Sequence, residues 1–288
     1  MEATIVVAAG NRLGESPLWH ARDHALYWLD LIGAEVHRWH SAEGHSVHPI
    51  VERGPLGGAV PVGEPARLLI AGADGLVEHD LRTGGQRLVQ HPLAGVEQTQ
   101  YNDAKSDREG RVWLTTSHTE ETEPRGGLFR LEQDGAVQVD GGFVVGNGPA
   151  FSPSGETMYL SDSLAHRVLA YTVEPGGDVH GRHTFVSIAP PAMPDGLTVD
   201  AQGFVWVALW AGAAVHRYSP EGQLDAVIRL PARHATSVAF GNADLRTLFI
   251  TTATEGLGPT ETSAADGALL AVTTTVAGIP EAVVAASA

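Results

Sequence analysis

The chain of 288 residues contains no cysteine. Disulfides, thiolate metal sites and cysteine nucleophiles are therefore excluded, and the composition fits a reducing, cytoplasmic location. Basic residues are scarce: 18 Lys and Arg stand against 34 Asp and Glu, a formal net charge of −16, and the cations do not cluster. Nucleic acid is held through clustered cations, so it is not an expected partner. Long apolar runs are also missing. The longest, over 204–215, is too short to cross a bilayer, and no membrane association is expected. The first ten residues carry a short apolar stretch at 5–9 and no basic start, which predicts no signal peptide. Sustained 3.6-residue periodicity is absent throughout, which argues against an α-helical core.

What is present is a repeat. The 34 glycines and 17 prolines are scattered along the chain, as many short turns require. Five segments share a polar turn followed by an apolar, aromatic-rich run: ARDHALYWLD at 21–30, DREGRVWLTT at 107–116, SPSGETMYLSD at 152–162, DAQGFVWVALW at 200–210 and GNADLRTLFITT at 241–252. A weaker copy, GEPARLLIAG, spans 63–72. β-Branched and aromatic residues bounded by Gly, Pro, Asp and Asn are strand and hairpin signals. A third strand is predicted after each, at 35–39, 75–80, 127–131, 167–173, 214–219 and 267–273. A fourth is predicted at 45–51, 86–91, 136–139 and 224–230. Six units of about four antiparallel strands predict an all-β, six-bladed β-propeller occupying 1–288 as one domain. The last unit has no clear fourth strand of its own. Residues 4–8 are expected to supply it and close the ring.

Four oxygen-bearing side chains open four of these units: Glu15, Asn102, Asn147 and Asp195. Successive members lie 87, 45 and 48 positions apart, close to two, one and one repeats. Taken singly, each has an ordinary explanation. Asn147-Gly148 is a turn dipeptide, Pro194-Asp195-Gly196 is a turn with fixed φ and a permissive glycine, and Asn102 and Glu15 suit a cap or a surface. Taken together, they occupy one phase of a radial repeat, and equivalent phases converge on the axis. Two carboxylates and two carboxamides in one place suit a hard divalent cation, since Ca²⁺ takes about 6–8 oxygen donors. Such a cation can polarise a carbonyl beside a carboxylate base, which points to ester or lactone hydrolysis. An aryl-ester or phosphotriester hydrolase and a non-enzymatic metal-binding propeller are the competing readings.

The motifs LGESPLW (13–19), YNDAKSD (101–107), NGPAFSP (147–153), PDGL (194–197) and TSVAFG (236–241) resemble the regucalcin/gluconolactonase family over nearly the whole chain. The resemblance implies a six-bladed propeller that hydrolyses a small-molecule sugar lactone with one divalent metal ion. Ca²⁺ or Zn²⁺ is foremost, with Mg²⁺ or Mn²⁺ also suited. It places metal ligands at Glu15, Asn147 and Asp195, makes Asp195 the general base, puts Asn102 on the substrate side and sets an acidic substrate contact near Glu120. Two departures alter the substrate shell. Gln100 stands where many members carry arginine, and Thr115-Thr116-Ser117 followed by His118 replaces a Gly-Thr-Met. Gln100 and His118 are therefore added as substrate-contact candidates, the latter against a default packing role. Asp30 and Asp162 are expected to be structural partners of turns, and Lys105 an ion-pair partner. A monomer or weak homo-oligomer is expected.

Overall fold

The computed structural model describes residues 2–50 and 55–284. Six four-stranded antiparallel sheets surround one axis, each beginning with its innermost strand. The inner strands are β2 (Gly14–His20), β6 (Gly58–Pro61), β10 (Thr99–Ser106), β14 (Gly146–Phe151), β18 (Met193–Val199) and β22 (Ala235–Gly241). The predicted propeller is thus the observed fold. In the first blade, β2 is followed outward by β3 (Ala25–Asp30), β4 (Glu35–His40) and β5 (Gly44–Pro49). The strand predicted over 45–51 corresponds to β5, and its last residue, Val51, lies outside the described residues. Among the described residues the helical content is one 3-10 turn, Ser163–Ala165, and no helix is long and apolar enough to cross a membrane.

The ring closes as expected. The N-terminal strand β1 (Thr4–Val7) pairs antiparallel with β24 (Leu269–Thr273), Thr4 opposite Ala271 and Ile5 opposite Leu270. It thereby becomes the fourth strand of the last blade, outside β24, β23 (Thr247–Thr252) and β22. This pairing covers the edge of β24, which would otherwise template association.

The turn signals act through specific bonds. Asp107 Oδ1 accepts from the backbone N–H of Glu109 (2.9 Å) and Arg111 (3.0 Å), while Oδ2 accepts from Trp113 Nε1 (2.9 Å). Asp200 repeats the device with Gln202, Phe204 and Trp206 Nε1. One carboxylate thus satisfies a tight turn and the indole that follows it six residues later. The core lies between neighbouring sheets, for example Leu18, Tyr27 and Ile70 between the first two blades, and Trp206, Phe240 and Ile250 between the last two. Each such side chain contributes roughly 1.5–3 kcal/mol when fully buried.

Beyond β24 the chain crosses the base of the propeller. Gly278 pairs with Asp200 and Val284 with Val62, so this segment touches blades on opposite sides of the axis. Gly278 is required by close approach, because a Cβ there would fall 2.2 Å from Phe240 Cβ. The Lys105 ammonium meets Glu281 of this segment at 3.6 Å, the ion-pair role expected for it.

Candidate active site

Glu15, Asn102, Asn147 and Asp195 occupy β2, β10, β14 and β18, and all four line a single cavity of about 450 Å³. A local irregularity in the inner strands aims them. The pairing shifts between Glu15 and Leu18, between Tyr101 and Asp103, between Asn147 and Ala150, and between Pro194 and Leu197. Of the other two inner strands, β6 pairs without a shift and β22 with one between Ala235 and Ser237, and neither brings an acid or amide. A bulge bends its strand and re-aims a side chain, and here it turns polar groups toward the axis. At the first of these sites Ser16 adopts φ 48°, a left-handed conformation that an L-residue keeps only when its surroundings hold it there.

The bonds among these groups are directional. Ser16 N–H donates to Glu15 Oε2 at 2.8 Å. Asn102 Nδ2 donates to Gly146 O (2.9 Å) and to Asn147 Oδ1 (2.7 Å), while Asn147 Nδ2 donates to Ser163 Oγ (3.0 Å). With its amide protons so directed, Asn102 offers its Oδ1 as acceptor, and Asn147 Oδ1 retains a second lone pair.

A third carboxylate, absent from the sequence-based set, joins them. Asp103 is 1% exposed; its Oδ1 accepts from Ser16 Oγ (3.1 Å) and Ala104 N–H (2.8 Å), and its Oδ2 from Gly148 N–H (2.9 Å). It ties three inner strands together beneath the cavity. Burial, followed by the charges of Asp195 and Asp103, pushes the Glu15 carboxyl well above its ordinary range, against a smaller opposing pull from Ser16 N–H and Lys105. Burial, then Asp103, likewise pushes Asp195 well up. Burial also raises Asp103, opposed by Lys105 and its backbone donors. Like charges crowded out of water need protons or a cation to be neutralised.

The remaining candidates divide. Gln100 lines the cavity. Glu120 and Glu121 are both exposed, and of the two only Glu121 lines the cavity. His118 is also off the cavity, buried to 1% exposure, with Nδ1 accepting from Thr122 N–H (3.2 Å) and its carbonyl accepting from Glu121 N–H (3.0 Å). The histidine thus braces the turn that carries the acids, and the turn's left-handed residue, Glu121 (φ 53°), is the one facing inward. Burial raises the Glu121 carboxyl. Asp30 holds the entry to β2 by accepting from Arg12 N–H (2.8 Å), Leu13 N–H (3.1 Å) and Gly33 N–H (2.9 Å), and Asp162 pairs with Arg167 at 2.8 Å. Asp30 fills the turn-partner role expected of it, whereas Asp162 makes no bond to the turn it opens and pairs with the arginine across the hairpin.

Among the described residues no group of three or more His, Asp or Glu side chains forms an evident metal cage. The convergent set is mixed: two carboxylates and amide oxygens, all hard donors, which is the chemistry a Ca²⁺-like ion takes. The apolar side chains of Leu31, Ile32, Leu56, Leu164, Met193 and Trp210 also line the cavity.

Comparison with known proteins agrees with this architecture. Residues 13–254 match the family described as SMP-30/Gluconolactonase/LRE-like region. The pentonolactonase XacC of Haloferax volcanii is 35% identical, with 98% of this chain and 97% of that protein aligned. The 6-deoxy-6-sulfogluconolactonase of Pseudomonas putida is also 35% identical, over 87% of this chain and 86% of its own. Among solved structures, the calcium-binding protein regucalcin from Agrobacterium tumefaciens superimposes with a TM-score of 0.91 at 24% identity, covering 97% and 96% of the two chains. That likeness concerns the fold. The extent of the family match and the full-length similarity to XacC show that this chain belongs to the SMP-30/gluconolactonase/LRE-like family.

Proposed function

We propose that the protein hydrolyses neutral sugar lactones to the corresponding hydroxy acids, with one divalent cation held by Glu15, Asn147 and Asp195. The observation that carries this reading is the convergence in one cavity of two buried carboxylates with amide oxygens, both carboxylates being pushed toward protonation by burial first and then by neighbouring carboxylates, Asp103 among them. Relatives named pentonolactonase, 6-deoxy-6-sulfogluconolactonase and L-arabinolactonase support lactones as the substrate class. The all-oxygen donor set, and a structural neighbour described as calcium-binding, favour Ca²⁺ first, with Zn²⁺, Mg²⁺ and Mn²⁺ as the other candidates.

When bound, such a cation supplies Lewis-acid polarisation of the lactone carbonyl and compensates the buried negative charge. The chain's own groups do the rest. Asp195 takes a proton from water as the water oxygen bonds to the carbonyl carbon, and returns it to the ring oxygen as the ring C–O bond breaks. Gln100, Asn102 Oδ1 and Glu121 bind the hydroxyls, and the apolar lining keeps bulk water from the reacting face. With Glu15 and Asp195 compensated by the cation, the charged groups left among the described lining residues are Glu121 and Glu255, both acids. That field disfavours a sulfonated or phosphorylated lactone.

The test is a panel of neutral and anionic lactones assayed with the metal stripped by chelation and then restored. Turnover of neutral lactones should vanish on stripping and return with one cation, and the melting midpoint should move with it. Asp195→Ala should lower turnover by at least about a hundredfold. Near-normal rates in that variant, or in the stripped protein, would refute the respective assignments.

A further inference from the structure

We infer that Trp210 is a stacking platform for the apolar face of the lactone ring, held in position by His234. The inference rests on the lactone reading and adds to it a residue that fixes how the ring is presented. Trp210 ends β19 (Val205–Trp210) and pairs with Met193, two positions before Asp195. Met193, Pro194, Asp195 and Trp210 all line the cavity, so the indole and the proposed base share it.

The indole is held from behind. The His234 imidazole stacks on it with ring centroids 4.1 Å apart and planes 15° apart. His234 is 6% exposed and does not line the cavity. Its Nδ1 accepts from Ala211 N–H at 3.0 Å, which fixes the ring's orientation. The turn that follows is locked as well. Ala211 and Ala213 are both left-handed, φ 56° and 46°, and a Cβ on Gly212 between them would lie 2.6 Å from Leu209 Cβ. Ala213 N–H donates to Arg233 O at 3.1 Å, strapping the turn to the segment that carries His234. Left-handed alanines are unfavourable and persist where the surrounding structure imposes them.

The chemistry of this indole differs from that of three others. Trp28, Trp113 and Trp206 are buried, each with its N–H given to Asn11, Asp107 or Asp200. Trp210 is only partly buried, and its N–H donates to no protein atom among the described residues. With one face covered by His234, the remaining surface offers the cavity a π-system with a free donor at its edge. An aromatic face carries partial negative charge and attracts the C–H edge of a sugar ring, while the N–H can reach a hydroxyl. Both interactions suit an uncharged polyhydroxy ring.

The experiment compares wild type with Trp210→Ala, Trp210→Phe and His234→Ala. The readouts are kcat and KM on neutral pento- and hexonolactones, and calorimetric binding of a δ-lactam as a ring that cannot be hydrolysed in this way. Trp210→Ala should raise KM, and weaken lactam binding, by about tenfold. The change in kcat should stay within about threefold, because a platform binds ground and transition states alike. Trp210→Phe should restore most of the loss, and His234→Ala should shift KM in the same direction by less. Melting midpoints check folding, and the His234 and Phe variants test the platform even if the alanine variant does not fold. Unchanged KM and lactam affinity in Trp210→Ala, with an active wild type, would overturn the platform alone. A wild type that neither binds the lactam nor turns over any lactone would overturn the lactone reading and the platform together.

Discussion

The seam where the first and last blades meet holds a hydrogen-bond chain whose protonation state is set by geometry. Trp28 Nε1 donates to Asn11 Oδ1 at 2.8 Å, so the Asn11 amide presents its Nδ2 protons to His37 Nε2 at 2.8 Å. That ring nitrogen must accept. His37 Nδ1 therefore carries the proton and donates to His45 Nε2 at 2.9 Å. The Trp28, His37 and His45 rings stack on one another, with centroids 4.9 Å and 5.2 Å apart along the series. Asn11 lies in the segment joining β1 to β2, and its own N–H donates to Gly267 O at 2.8 Å, so the chain links the closing strand to the first blade. Burial first, then the facing His45, lowers the His37 pKa from 6.5 to about 4, against a smaller opposing effect of Asp30. Glu35 Oε2, 3.3 Å from Nε2, is the carboxylate that a protonated ring would turn to.

The folded state holds His37 neutral where the unfolded chain would already be protonated. The unfolded state therefore binds more protons between about pH 6.5 and about pH 4, and stability is lost as pH falls through that window. A span of about 2.5 pH units at 1.36 kcal/mol each corresponds to about 3 kcal/mol for this group, which is 2% exposed. Urea unfolding of wild type and His37→Gln at pH 7, 6, 5 and 4.5, in one metal state, measures it. Taking the difference between the two proteins cancels the carboxylates, whose raised values act in the opposite sense. Wild type should lose most of this 3 kcal/mol relative to the variant on going from pH 7 to 4.5. A difference that stays constant with pH would refute the assigned tautomer and its role at the seam.

Two further outcomes follow from the fold. Asp200 is fully buried and accepts from Arg217 Nη2 (2.6 Å) and Nε (2.9 Å) as well as from Trp206. Asp200→Ala leaves a buried guanidinium short of its partner and should cost about 3–5 kcal/mol by chemical denaturation; a loss under about 1 kcal/mol would contradict this. Deleting residues 2–8 removes β1 and exposes the β24 edge, so the truncated protein should melt lower and self-associate in sedimentation. An unchanged melting midpoint would show that closure does not depend on this pairing.

Much of the architecture can be read from the chain alone, because its signals are local. Alternating apolar strands, turn residues and a period near 45 specify blades, and the Asp107–Trp113 and Asp200–Trp206 spacings recur because one turn device recurs. The convergence of Glu15, Asn102, Asn147 and Asp195 follows from the repeat, since equivalent positions in a ring must meet. Asp103 was not legible in this way. Regular alternation sends Asn102 and Asp103 to opposite faces, and only the shift between Tyr101 and Asp103 lets both serve one polar centre. Glu120 and Glu121 differ by one step around a turn, and the left-handed conformation at Glu121, braced by His118, selects the inward acid. Trp210 reads in sequence as another strand aromatic; its place in the cavity lining and its stacking on His234 from the next blade exist only in the folded ring. Composition and periodicity determined the blades and the polar centre, because those depend on neighbours along the chain. The third carboxylate, the inward glutamate and the aromatic wall were decided by bulges, turn conformations and contacts between blades, which only the closed ring brings together.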